Sequence, residues 1–424
     1  MMSDFRDRLR RSRYVIFFFW LAVARVSAGP TSWTATTSLP DGYNSHALAY
    51  SSPFLYQTGG TANQNGFYAG VNCFYSRVNN GTAGVWTATS PLPEAVSFHC
   101  EVATSSYLYV LGGYHYTDAN GLIITNVVYV AKIKPDGSLD TWKSARSLPS
   151  PRVYASAAVW NNIIFVIGGY DEPNGYATDY ATVYSARVLA DGSLSAWTAL
   201  TPLPAATVYH ASAANGYLYL VSGAFNIASQ VTSNVYYAKI NANGTLSAWH
   251  STTPLPQPES MHGVVASGGH VFSIGGFNGS GPTRSYFYAP VQADGTLGTW
   301  ITGPLLPQIQ FQNGVAVTET SIFSTGGSDN SGFAYDTDYS IRLPQVVATP
   351  PIVVSQSVSN QVFSVVFGAE TGITNGIDYS TNLISWLTVT NPLFSIKDGM
   401  ATWSDDGSQT GGAGGRKFYR INAH

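Results

Sequence analysis

Apolar residues along this chain come in short bursts cut by turn residues, a pattern of strands rather than helices. Tyr154–Val159 and Ile163–Ile167 are two such bursts, joined by Asn161-Asn162, a pair suited to a tight hairpin. Thr182–Val188 is a third, and the Asp191-Gly192 turn leads into a fourth around Trp197. This stretch therefore predicts four antiparallel strands in succession.

The same stretch recurs. Trp33, Trp86, Trp142, Trp197, Trp249 and Trp300 are spaced by 53, 56, 55, 52 and 51 residues. Leu-Pro follows each tryptophan, from Leu39-Pro40 to Leu306-Pro307. A glycine pair then ends a short apolar run: Gly59-Gly60, Gly112-Gly113, Gly168-Gly169, Gly275-Gly276 and Gly326-Gly327, with Ser222-Gly223 as the altered copy. A turn of the Asp-Gly or Asn-Gly kind precedes the next tryptophan. A four-stranded unit that repeats about every 50 residues with one glycine pair resembles the blade of a kelch propeller. The tryptophan, Leu-Pro and Gly-Gly positions read as structural: an apolar plug between blades and a close approach of backbones. The last unit stops at Leu343-Pro344 without its tryptophan strand, and Thr31–Thr36 around Trp33 supplies it from the other end. The fold class expected is all-β: a six-bladed kelch-like β-propeller over 29–344, closed by the N-terminal strand.

A second module follows. Residues 345–358 read as a stiff, Pro-bearing linker and 359–424 as alternating strands. Ser380-Thr381-Asn382-Leu383-Ile384-Ser385-Trp386 and Phe418-Tyr419-Arg420 resemble the marks of a small β-sandwich appended to exported bacterial proteins, a resemblance that implies export and no chemistry.

Composition changes the picture in two ways. Charged residues are only 10% of the chain, against about 25% in an average globular protein. Six of the basic residues lie in 1–28, where Arg6 to Arg13 precede the apolar run Tyr14–Ala24 and the small-x-small site Val26-Ser27-Ala28. That segment reads as a signal peptide cleaved near Ala28, giving a secreted, periplasmic or cell-surface protein with no membrane span. The remainder carries net charge −7, which argues against a nucleic-acid partner. Cys73 and Cys100 are too few for a disulfide scaffold, and whether they pair stays open.

Candidate chemistry gathers on one face of the ring. Thirteen positions after each tryptophan, at the start of the innermost strand, stand His46, His99, Ala155, His210, His262 and Asn313. Imidazoles there either bond backbone between blades, as the kelch resemblance implies, or bind a ligand; a wide ring works against a metal site. Glu101 stands beside His99 at a position that is small or apolar elsewhere, and Arg152 and Glu259 share another repeat position. These charges read as a channel ion pair or as acid/base groups. Loops after the glycine pairs carry Tyr114, Tyr116, Tyr170 and Tyr176 with Asn120, Asp171 and Asn174, a composition suited to a sugar or a protein surface.

By resemblance, kelch propellers divide into protein-binding modules, an exported six-bladed N-acetylneuraminate epimerase (mutarotase) type, and a copper-bearing galactose-oxidase type. The copper type is disfavoured: Tyr209-His210 resembles its Tyr-His pair, but nothing places Cys73 or Cys100 beside a matching tyrosine. For the epimerase type, Glu101, Glu259, Arg152 and His99 are the acid/base candidates. The units vary little in length, which favours binding over catalysis. The expectation is a monomeric, cofactor-free, non-catalytic module that takes a glycan or an extracellular protein at the channel mouth through His46, His99, His210, His262, Tyr114 and Tyr170.

Overall fold

The computed structural model describes residues 32–62, 69–117, 121–172, 178–208, 211–214, 216–225, 230–329, 331 and 333–343, and strands between 353 and 423. The segment 1–28 read as a signal peptide, His210, Tyr176, Asn120 and Asn174 lie outside them. All regular elements described are strands. The chain divides into two compact units, with Gly29–Pro344 as the larger.

Six antiparallel sheets of four or five strands form the blades of the larger unit, with smaller two- and three-stranded sheets beside them. Their innermost strands are Ala47–Ser51, Cys100–Ala103, Ser156–Trp160, Ala211–Ala214, Gly263–Ser267 and Gly314–Val317, and each touches the next around a closed ring. In the third blade Ser156–Trp160 pairs Ile163–Ile167, which pairs Val183–Arg187, which pairs Thr198–Ala199. Asn161 and Asn162 both have positive φ (48° and 58°), the tight hairpin that their sequence predicts. The sixth blade takes its outer strand from the other end of the chain: Thr34 pairs Ser340 and Ala35 pairs Tyr339. Closure by the N-terminal strand is thus observed.

The apolar core sits between blades. Second strands such as Ile163–Ile167 are buried along their whole length because both faces meet a neighbouring sheet. One apolar cluster joins Tyr56 and Cys73 of the first blade to Leu108 and Trp142 of the second, and similar clusters fill the other seams.

Two sets of inter-blade hydrogen bonds repeat around the ring. Each indole donates to the carbonyl four residues beyond the preceding tryptophan: Trp86 to Thr37, Trp142 to Ser90, Trp197 to Arg146, Trp249 to Thr201, Trp300 to Thr253 and Trp33 to Pro304, at 2.9–3.1 Å. The second glycine of each pair donates its N–H to the next blade, at Val96, Arg152, Thr207, Glu259, Gln310 and Tyr43. A Cβ on the first glycine would stand 2.4–2.6 Å from those same carbonyls. Ser222, the exception, turns the close approach into a 2.5 Å hydrogen bond from its hydroxyl to Glu259 O.

Cys73 and Cys100 are both free, buried thiols, in separate apolar clusters. In the smaller unit, two sheets are formed, one with Val353–Ser359, Val362–Gly368, Met400–Asp405 and Ser395–Lys397, the other with Leu387–Thr388, Asn375–Ser380 and Phe418–Ala423. The linker expected over 345–358 is therefore too long at its C-terminal end. Val353–Ser359, past the two prolines that break regular pairing, hydrogen-bonds along Val362–Gly368. The Ser-Thr-Asn-Leu segment from Thr381 to Trp386 lies outside the described residues.

Trp142→Phe keeps the apolar ring but leaves Ser90 O unanswered. Chemical denaturation should show a loss of about 1–3 kcal/mol, whereas an unchanged midpoint would remove the indole bonds from the account of ring stability.

Candidate functional site

One end of the channel is framed by a collar of backbone. Among the described residues, the position twelve after a tryptophan takes left-handed φ: Ser45 56°, Phe98 53°, Tyr154 57°, Met261 50° and Gln312 57°. None is glycine, and such conformers cost of order 1–3 kcal/mol unless their surroundings hold them. Here the collar holds itself. Gln312 N donates to Met261 O, Ser45 N to Gln312 O, Phe98 N to Ser45 O and Tyr154 N to Phe98 O, an arc that crosses five blades.

The next residue in each blade drops between sheets. His46 is 7% exposed, and its Nε2 meets Thr325 Oγ1 of the preceding blade at 2.9 Å. His99, 8% exposed, meets Thr58 Oγ1 at 3.0 Å. His262 is buried and hydrogen-bonds the main chain of Val221. In each case the partner is the residue just before a glycine or serine-glycine pair. Each imidazole Nε2 thus meets a threonine hydroxyl, Thr325 also reaching Gly314 O and Thr58 also bonding Glu101. Burial pushes His46 and His99 down to about 3, keeping them neutral.

His46 and His99 line a cavity of about 100 Å³ at the collar, together with Phe98, Tyr154, Met261 and the amides of Gln312 and Asn313. Phe98, Tyr114 and Tyr154 meet edge-to-face at 4.7–6.1 Å on its rim. Tyr114 is half-buried. Tyr170 departs from its expected role as a ligand platform, because its ring is buried among Val153, Val208 and Ala224 and its hydroxyl bonds Glu172.

The charged candidates are separated. Glu101 joins His99 through Thr58, as their shared face suggested, and burial pushes its carboxyl up to about 8. Arg152 is 1% exposed: it donates to Gly168 O, Ser150 and Thr182 and lies over the rings of Tyr180 and Tyr184 at 4.6 and 4.8 Å. Glu259, also buried, accepts from Gln257, Thr283 and Ser285, and burial raises it to about 7. The channel ion pair expected of these charges does not form, because Arg152 and Glu259 occupy different blades and each is satisfied by uncharged groups of its own. Their shared position serves the glycine turn: Arg152 answers Gly168 O, Gln310 answers Gly326 O, and Ser285, held by Glu259, answers Gly275 O. Among the described residues no cluster of three or more His, Cys, Asp or Glu could hold a metal ion, and no helix is long and apolar enough to cross a membrane.

The sequence did not reveal the collar or the threonines that fix the imidazoles. Collar residues share a place in the repeat and no chemistry, and only their step before the histidines marks them.

Fold and mouth together define a six-bladed propeller of the kelch kind. The KLHDC2/KLHL20/DRC7 Kelch-repeats domain matches residues 45–276, more than half of the chain, which therefore belongs to the kelch-repeat family. Relatives include Kelch-like protein 36 of Bos taurus, 24% identical over 60% of this chain and 40% of its own. Kelch-like protein terF of Aspergillus terreus is 28% identical over 60% of this chain and 54% of its own. The chain thus spans about half or less of these relatives' length. The solved structure of YjhT aligns with a TM-score of 0.58 at 15% identity, covering 73% of this chain and 97% of that one, a likeness of fold.

Glu101 and Glu259 bind their protons more tightly folded than unfolded. Unfolding therefore releases protons as pH rises from the ordinary 4.5 towards about 8 for Glu101, and stability falls across that window. Urea unfolding at pH about 5 and about 9 should show this fall, and Glu101→Gln should flatten it. An equal pH dependence in the variant would contradict the placement of Glu101.

Proposed function

We propose that this chain is an exported, non-catalytic binding propeller whose ligand, a segment of an extracellular protein or a glycan, docks at the collar end of the channel. The observation that carries this reading is the distribution of unanswered polarity. At the mouth, His46, His99 and Asn313 line a cavity, and each keeps one buried polar atom without a hydrogen-bond partner: His46 Nδ1, His99 Nδ1 and Asn313 Oδ1. Away from it, Arg152 and Glu259 are enclosed and engaged by their own blades. A reactive group must reach its substrate, and these two do not. The kelch relatives support a binding role, and the export signal in 1–28 supports an extracellular partner.

One observation favours the mutarotase-like alternative. The His99–Thr58–Glu101 chain joins a neutral imidazole at the cavity to a carboxyl that keeps its proton near neutrality. Proton transfer through it would open and close a sugar hemiacetal.

A glycan array and a display library of peptides, probed with the chain from residue 29 onward, test the two. The expected result is one saturable ligand class, insensitive to chelator, weakened by Tyr114→Ala, with no faster anomer exchange of N-acetylneuraminate. Exchange that is accelerated and then abolished by Glu101→Gln would replace the binding reading with the enzymatic one.

A further inference from the structure

One seam differs from the other five. The sixth blade borrows its outer strand from the far end of the chain, and only Thr34 with Ser340 and Ala35 with Tyr339 pair it. Asp338 opens the third strand of that blade, opposite Thr325. Its counterparts in the other blades are Cys73, Val128, Val183, Val235 and Tyr286. A carboxyl thus stands where no other blade has one, and it is 1% exposed. Both its backbone and its side chain bear on the closure. Asp338 O accepts from Thr36 N at 2.9 Å, and Asp338 Oδ2 accepts from the Trp86 indole at 2.7 Å. The same indole donates to Thr37 O at 3.1 Å. Trp86 of the first blade, the borrowed segment and the third strand of the sixth blade therefore meet at one N–H. Among the described residues, the indoles of the other five seams meet a carbonyl and no carboxyl.

We propose that Asp338 is a proton-controlled clasp: with its carboxyl neutral the borrowed strand holds the ring closed, and ionisation of that carboxyl loosens this one seam. A neutral acid can lie buried against an indole, whereas a carboxylate without a cation is costly to bury. Among the described residues neither ion pair involves Asp338. Asp336, just before the strand, adds a like charge. Thr34 to Thr37 of the borrowed segment and Thr87-Ala88 beside Trp86 carry no ionisable side chain. Opposite Asp338, Thr325 meets His46, which burial keeps neutral, and Tyr43 holds its phenol proton more tightly than usual. Arg342, at the other end of the strand, bonds Asn80 O. Burial accordingly raises the Asp338 carboxyl well above the ordinary 3.8, and the Trp86 bond offsets only part of this. A closed seam that binds the proton more tightly than an open one is fully stabilised below 3.8 and weakens as pH rises above it. Release of Thr34–Ala35 would bare the outer edge of Asp338–Arg342, while the other five blades keep their own outer strands.

The clasp does not depend on any ligand at the mouth. It is tested on the full-length chain by amide hydrogen exchange at pH about 5 and about 8, each rate divided by the intrinsic rate at that pH. Two equivalent amides are compared: Thr36 N–H, bonded to Asp338 O, and Leu200 N–H, bonded to Val183 O in the third blade. Between the two pH values, protection at Thr36 should fall by about tenfold or more relative to Leu200. Asp338→Asn, which keeps an acceptor for Trp86, and Asp338→Val, the residue of three other blades, should each remove that contrast. Glu101 is in neither of the blades compared, so Glu101→Gln should leave the contrast in place. No fall at Thr36, an equal fall at Leu200, or a contrast that survives in either Asp338 variant overturns the proposal. Should neither variant fold, the two amides of the unmutated chain still decide it.

Discussion

Neighbouring blades approach most closely where the first glycine of each pair lies under a carbonyl of the next blade, at a distance that leaves no room for a side chain. Cβ atoms essentially never stand 2.4–2.6 Å from an oxygen, so an ordinary side chain here would push the blades apart. With the blades apart, the second glycine's N–H would lose the carbonyl it donates to, and the seam would open at its inner end. The fourth seam tests this reasoning within one molecule. Ser222 adopts the same left-handed backbone, at φ 61°, and its hydroxyl bonds the carbonyl that a methyl would strike. The constraint is therefore on the contact rather than on glycine as such. The seam between last and first blades obeys it too, since Gly327 donates to Tyr43 as Gly60 donates to Val96.

Close seams at the inner ends have a chemical consequence. Large apolar groups fill the wider outer parts of each seam, where tryptophan closes the gap and its indole finds a carbonyl. Near the axis the chain turns sharply through the left-handed collar, and what fits beside it is a flat ring that can satisfy polar neighbours. Histidine meets that need at His46 and His99, whose Nε2 atoms meet a threonine of the neighbouring blade. The residual polarity at the mouth is a by-product of how the ring closes, which is why it occurs on several blades at once.

Much of this was legible in the chain because it rests on residue types recurring at fixed spacing. Blade number, the hairpin at Asn161-Asn162 and closure by Trp33 all follow from identity and interval. His99 and Glu101 were visible as neighbours because alternate residues of a strand share a face. Thr58, which joins them, sits in another blade at a position that reads Leu, Ile or Val in four blades and Thr only once more, at Thr325, and so stood out little. Arg152 and Glu259 misled for the opposite reason. Their charge stood out against a poorly charged background, yet equivalent positions in different blades do not meet, and each charge serves its own glycine turn. Tyr170 looked like a ligand platform because loop aromatics are usually exposed, but a strand pairing at Val153 folds it inward. The collar left no trace at all: serine, phenylalanine, tyrosine, methionine and glutamine share only a φ angle.

The same distinction bears on binding against catalysis. An acid/base pair is useful when it can reach a substrate and exchange protons with it, and burial sets both conditions against each other here. Glu259 and Arg152 have the enclosure that shifts an ionisation but no route to a ligand. His46 and His99 line the cavity, and burial holds them neutral, each against a threonine of the neighbouring blade. Glu101 lies between these cases: it reaches the cavity only through Thr58 and His99. Groups that are fixed and neutral around one small space are suited to recognition, and a regular ring of short seams supplies the rigidity that recognition needs.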